Sequence, residues 1–322
     1  MHVSLAPDSI RSIDRPCFES PDQAAPLLHE TDLIIGVERD GDARAYPVNL
    51  LSYHEIVNDV VGGEPLAITW CPLCASAVVY DRRVGGRTLE FGVSGFLYRS
   101  NLMLFDRKTG SLWSQLLGGA VTGRMRGAKL RGLPFVQQTW AAWREEHPRT
   151  KVLTIRRDEL GEKFTEPSSQ SSARGVEESN SPYGTYVSKV PVYFPNSHRG
   201  VPDASLVLGV VDGGRSKAYV VLALQRRRAL NDVLAGEPLL LAADDDSLSV
   251  HAFSRRVGTR TLTFRAVRGG LADRETRSRW SAASGRAFAG PLAGARLERV
   301  SATPAYWFAW RNFHPATAVW KG

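Results

Sequence analysis

Cysteine is scarce in this chain, with three in 322 residues. That excludes a disulfide framework. Two of the three stand as Cys71-Pro72-Leu73-Cys74, and no second CxxC exists. A four-cysteine zinc ribbon is therefore excluded as well. No apolar run approaches the roughly 18 residues that a membrane span needs. The N-terminal stretch up to Cys17 lacks the apolar h-region of a secretory signal. These absences predict a soluble, cytoplasmic protein with no membrane partner. Acidic charge is also in deficit: the formal net charge is +8 and the sequence pI about 9.6. Such a balance suits an anionic ligand or nucleic acid. Yet the densest basic runs, Arg226–Arg228 and Arg265–Arg279, carry no interleaved aromatic residues. The reading is a solvated basic surface and no nucleic-acid partner.

What is present is a repeat. When the chain is shifted by 173, residues 31–91 lie on residues 204–264 without a gap, with 24 identities in 61 positions. Ala45-Tyr46 meets Ala218-Tyr219, Asn58-Asp59 meets Asn231-Asp232, and Gly63–Leu66 meets Gly236–Leu239. Farther on the shift becomes 167, so that Trp113 meets Trp280, and His147-Pro148 meets His314-Pro315. Two periods of this length indicate a duplicated domain rather than a solenoid. The expected organisation is an N-terminal arm (1–30), a first repeat (31–157), a polar linker (158–200) and a second, degenerate repeat (201–322). The elements predict an α+β fold dominated by antiparallel strands. Hairpins are expected over Leu33–Pro47, over Ala77–Val93 with its turn at Val84–Gly86, and over Leu102–Gln115. Helices are expected over Leu50–Val61 and Phe135–Glu146.

The repeat separates scaffold from chemistry. Residues kept in both copies serve the fold; residues in one copy only are candidates for function. Cys71 and Cys74 fall on Asp244 and Ser247, His54 and Glu55 on Arg227 and Arg228, and Gln115 on Ala282. The segment Val93–Asn101 has no full counterpart, because six residues are missing from the second copy there. Joint loss of two cysteines, a histidine and a loop is what a single site would leave behind.

Two cysteines at this spacing chelate a soft metal or cycle between dithiol and disulfide. A thioredoxin-like CxxC opens a helix; here the residues that follow, Ala77–Tyr80, are strand formers, and no βαβ pattern surrounds them. A metal needs a third ligand, for which His54 is the candidate beside Cys71 and Cys74, with Met103 and His198 as weaker supplements. Copper is the expected metal, with zinc and iron as alternatives. Glu55, Tyr98 and Asn101 are candidate catalytic groups. Ser94, Gln115 and Tyr183 are candidates for binding a small-molecule substrate.

The run WCPLCASAVVYDR, FGVSGFLYRSNLMLFDR and SLWSQ, preceded by HEIVND at 54–59, resembles the bacterial family DUF3179, a domain of unknown function. The resemblance covers most of residues 33–320. It implies that the HEIVND, CPLC and SGFLYRSN segments belong together, and it supplies no reaction. The expectation is a metal-dependent oxidoreductase acting on a small molecule through a Cys2His site. The alternatives are a copper or zinc carrier, or a dithiol-disulfide oxidoreductase.

Overall fold

The computed structural model describes residues 2–3, 5–154, 200–244 and 249–322. The chain divides into two compact units, Met1–Ser197 and His198–Gly322.

In the first unit the elements follow in order. Strand β1 (His2–Val3), β2 (Cys17–Glu19) and the capped turn α1 (Pro21–Ala24) precede the β3–β4 hairpin (Leu33–Arg39, Asp42–Pro47). Helix α2 (Val48–His54) leads into β5 (Ile56–Val61), β6 (Glu64–Cys71) and β7 (Ser76–Asp81). A two-residue ribbon, β8 (Arg83–Val84) with β9 (Arg87–Thr88), leads to β10 (Phe91–Tyr98), β11 (Asn101–Asp106), β12 (Leu112–Ser114) and β13 (Gly119–Ala120). Then come β14 (Arg131–Leu133), β15 (Val136–Thr139), α3 (Trp140–Glu146) and β16 (Lys151–Thr154). Beside the two-stranded β8-β9 ribbon, the described residues form three larger sheets, ordered β14-β7-β6-β5, β15-β3-β4-β16-β2 and β1-β10-β11-β12-β13. Among the described residues the strand pairings of this unit are antiparallel except β4 with β16, and Ile13 makes an isolated parallel bridge to Val57. The fold is α+β with antiparallel strands dominating, as the sequence pattern predicts.

The second unit has the same succession at the same spacing. Strands β17 (Leu206–Asp212) and β18 (Arg215–Val220), helix α4 (Val221–Arg227) and strands β19 (Ala229–Leu234), β20 (Glu237–Ala243) and β21 (Val250–Ser254) answer β3 to β7. Helix α5 (Trp307–Phe313) answers α3. Buried contacts recur with it. Gly36 faces Trp143 so closely that a Cβ would lie 2.5 Å from the ring, and Gly209 faces Trp310 in the same way.

Three local expectations are corrected. The helix expected over Leu50–Val61 stops at His54. Glu55 takes φ +56°, its N–H closes on Leu51, and its carbonyl accepts from Trp70. The β-branched run Ile56-Val57…Val60-Val61 then pairs with β6 instead of continuing the helix. The helix expected from Phe135 begins at Trp140, because Val136–Thr139 pair with β3 and the Thr139 hydroxyl caps the helix. The Val84–Gly86 turn closes only the β8–β9 ribbon; β7 pairs with β6 and β14, and β10 with β11. The Arg82 guanidinium bonds the carbonyls of Leu89 and Asp59, which turns the chain between those sheets. The expected linker at 158–200 lies, but for Gly200, outside the described residues.

Candidate functional site

Cys71 ends β6. Pro72 then forces a single 3-10 turn over Pro72–Cys74, and Ala75 in the left-handed region (φ +46°) returns the chain to β7. Cys71 pairs with Ser76 across the hairpin. The CxxC is thus a strand-to-strand loop, and no α-helix follows it. Both cysteines are reduced and buried, at 2% and 0% exposure.

Cys74 is held from three sides. Its thiol donates to the Ser100 carbonyl at 2.8 Å, and the Asn101 amide donates to its sulfur at 3.6 Å. Ser100 and Arg99 form the β10–β11 turn, both with positive φ, where an ordinary side chain sits under strain. Burial, then hydrogen bonding and charge from the neighbouring Cys71 thiol, push the Cys74 thiol well above its ordinary value. The Asn101 amide opposes that shift, and the Glu55 carboxylate adds to it.

Behind Cys74 lies a closed amide-and-hydroxyl network. Gln115 Oε1 accepts from Asn101 Nδ2 at 2.7 Å and from Ser76 Oγ at 2.9 Å. Gln115 Nε2 donates to the Ser76 carbonyl at 3.0 Å and to Thr69 Oγ1 at 3.2 Å. Thr69 in turn donates to the Val78 carbonyl, and the Tyr80 hydroxyl to the Gln115 carbonyl. Burial raises the Tyr80 phenol, which stays protonated as that donor. The polar atoms of Gln115 are matched although it is fully buried.

The structure therefore brings Cys71, Cys74, Asn101 and Gln115 together, with Glu55 close enough for its charge to reach Cys74. Glu55 is itself buried at the end of α2. Other candidates lie elsewhere. His54 donates from Nδ1 to the Arg11 carbonyl at 2.8 Å. Among the described residues no three His, Cys, Asp or Glu side chains are grouped to hold a metal ion, so His54 is not assembled with the cysteines. Ser94 donates to the Met103 carbonyl and receives the Phe96 N–H, bracing the β10 bulge. Tyr98 lies at the hairpin tip under the Arg99 guanidinium. Met103 is core. Tyr183 and His198 lie outside the described residues.

Sequence reasoning missed Ser76, Thr69 and Tyr80; Ser100 falls within the Val93–Asn101 loop assigned to the site, without a role of its own. Ser76 has an identical counterpart, Ser249, so a filter built on differences between copies discards it. Thr69 falls on Ala242, a difference beside Cys71 that was available as a signal.

These features define a two-unit, antiparallel α+β protein with one buried dithiol in its first unit. The chain belongs to the family described as "Protein of unknown function (DUF3179)", whose model matches residues 7–317. No curated protein and no solved structure matches it. No helix among the described residues is long and apolar enough to cross a membrane.

Proposed function

We propose that the first unit is an oxidoreductase for a small molecule, working through a soft metal ion bound by Cys71 and Cys74, with copper as the preferred metal. One observation carries this reading. Two reduced sulfurs lie side by side, sealed from bulk water, with an amide N–H aimed at one of them. Thiolates are soft ligands, and N–H donors to sulfur are the usual outer-shell support of a bound thiolate. Zinc in protein sites is almost always four-coordinate with at least three protein ligands. Monovalent copper accepts two sulfurs, which makes it the first choice over zinc or iron where no third ligand is grouped. Binding would displace the Cys74 proton, so affinity rises with pH. A carrier needs an exposed, shallow site from which metal is handed on. The buried network from Thr69 to Gln115 favours an enzyme instead. A tandem duplication whose second copy lost this site accounts for Asp244, Ala242 and Ala282 at the places of Cys71, Thr69 and Gln115.

The contact between the two thiols favours a second reading, a dithiol that passes two electrons and two protons to a disulfide substrate, which leaves as two thiols while the Cys71–Cys74 disulfide forms. Elemental analysis of the purified protein beside a Cys71→Ala/Cys74→Ala variant separates the two. The expected result is about one equivalent of copper, lost in the variant. No metal in either sample, even after reconstitution under reducing conditions, overturns the metal reading; thiol titration for a reversible disulfide then tests the other.

A further inference from the structure

The N-terminal arm joins the two structures that flank the dithiol. Its first strand, β1, pairs with β10 at Phe96 and Leu97. Leu5 then donates to the Gly95 carbonyl and Asp8 to that of Val93, at 3.1 and 2.9 Å. The approach is close: a Cβ on Gly95 would lie 2.1 Å from the Leu5 carbonyl oxygen. The arm next crosses to the start of β5. The Arg11 carbonyl takes the His54 Nδ1–H, Ile13 donates to Ile56, and Asn58 donates to Ile13. The β10–β11 turn is what seats the Ser100 carbonyl on Cys74. The α2–β5 junction is what carries Glu55, whose carbonyl pairs with Trp70 beside Cys71.

Besides these backbone bonds, Asn58 Nδ2 donates to Asp14 at 2.7 Å and Ile13 packs against the core, while the side-chain clasp over residues 8–14 is electrostatic. Arg107 pairs with Asp8 at 2.8 Å, with Asp14 at 3.2 Å and with Glu90 at 3.2 Å, and donates to Ser12 Oγ. Its side chain is 30% exposed, so these pairs are screened by salt. Asp8 itself sits at φ +57°, in the left-handed region that aspartate tolerates. Short pairing and partly exposed ion pairs are the marks of a segment that opens before the rest of the unit.

We infer that residues 5–14 form a strap, clasped by Arg107, whose release opens the way to Cys71 and Cys74. The inference rests on those cysteines being the working groups of the proposed function. Solutes small enough to react there enter when the clasp opens, and the rate of entry follows the clasp rather than global unfolding.

The test is the rate at which the buried thiols react with 5,5′-dithiobis(2-nitrobenzoate). It is measured in a Cys17→Ser background, because Cys17 is exposed, and after treatment with a copper chelator. The result then stands whether or not the metal reading does. Arg107→Gln is expected to raise the rate roughly fivefold to thirtyfold, the equivalent of losing two or three exposed ion pairs. Molar sodium chloride is expected to accelerate the parent protein and to leave the variant nearly unchanged. Arg144→Gln, which breaks the exposed pair with Glu30, is expected to change nothing. Equal rates for Arg107→Gln and the parent at low salt overturn the inference. So does a rate that follows the urea-unfolding equilibrium in every variant.

Discussion

Replacing Gln115 with alanine should cost the first unit about 3 kcal/mol. The side chain is fully buried and makes four hydrogen bonds through both ends of its amide. Truncation does not harm all four partners equally. Thr69 Oγ1 keeps its bond to the Val78 carbonyl, and Ser76 Oγ keeps a contact with Asn101 Nδ2 at 3.4 Å. The Asn101 amide and the Ser76 carbonyl are the groups left short, at about 1–3 kcal/mol each. A water entering the space recovers part of this. Urea unfolding followed by tryptophan fluorescence reads the effect. Trp70 and Trp113 report from the core of this unit, and the midpoint should fall by about 1 M or more. A double-mutant cycle with Asn101→Ala should return a coupling of at least about 1 kcal/mol, because the two amides bond each other directly. The second unit supplies the reverse experiment. Ala282 stands at the corresponding position, buried, and Ala282→Gln should destabilise by burying an amide without partners. A loss below 1 kcal/mol for Gln115→Ala would refute the network as a rigid support of Cys74.

Two further outcomes are expected. Gly36→Ala should cost about 2–3 kcal/mol, because its Cβ would meet the buried Trp143 ring at 2.5 Å and Val136 at 2.8 Å; thermal unfolding checks this, and an unchanged midpoint would show that α3 can shift. Stability should also fall as pH drops below about 6.5. His251 and His314 both have folded values below the ordinary 6.5, burial being the first cause, with Arg299 adding to the shift at His251 and Asp244 opposing it. The unfolded chain then takes up protons first, so their contribution is complete above 6.5 and is lost below it. Asp42, held down to about 2 by its bonds to Arg44, Lys151 and Gly62, together with Asp81 and Asp273, loses its contribution only below about pH 4. Melting temperatures from pH 8 to 5.5 should fall less in His251→Gln than in the parent; equal slopes would remove His251 from the account.

How much was legible in the sequence depends on which force decides each element. The β3–β4 and β11–β12 hairpins follow from alternation and turn residues that lie next to one another in the chain, and both form as read. The α2–β5 boundary does not. LLSYHEIVNDVV has helical spacing throughout, and what ends the helix is Glu55 in a positive-φ conformation that delivers its carbonyl to Trp70 in the next strand. That is a tertiary override of local periodicity. At the site, the cysteines, Asn101 and Gln115 are legible because the similar second stretch of sequence lacks them. His54 stands out on the same ground, but shared absence says nothing of distance, and its ring bonds the Arg11 carbonyl of the arm. Ser76 was invisible for the opposite reason: a residue can serve both the fold and the site.

The two units also work as a paired experiment on what the fold requires. Trp113 donates to Asp106 as Trp280 does to Asp273, and Trp143 to Thr150 as Trp310 does to Thr317. Asn58 brackets Phe91 as Asn231 brackets Phe264, and Tyr46 bonds Asp59 as Tyr219 bonds Asp232. These bonds survive because each fixes a strand or helix that both units need. The network around Cys74 has no counterpart among the described residues of the second unit, where Ala242 and Ala282 stand at the places of Thr69 and Gln115. Where Tyr80 ties down the loop after β12, Phe253 has no hydroxyl, and Arg299 does the tying instead, stacked on Phe253 and donating to the Ala283 carbonyl. His251, at the place of Val78, accepts from Arg299. The second unit thus closes the same architecture with a different set of side chains. Folding alone therefore does not demand two adjacent thiols, a buried carboxylate beside them and a fully matched glutamine. They are the groups that the proposed chemistry would use, and the elements that seat them, the Arg99–Ser100 turn and the Pro72–Ala75 loop, hold Arg99, Ser100 and Ala75 at positive φ.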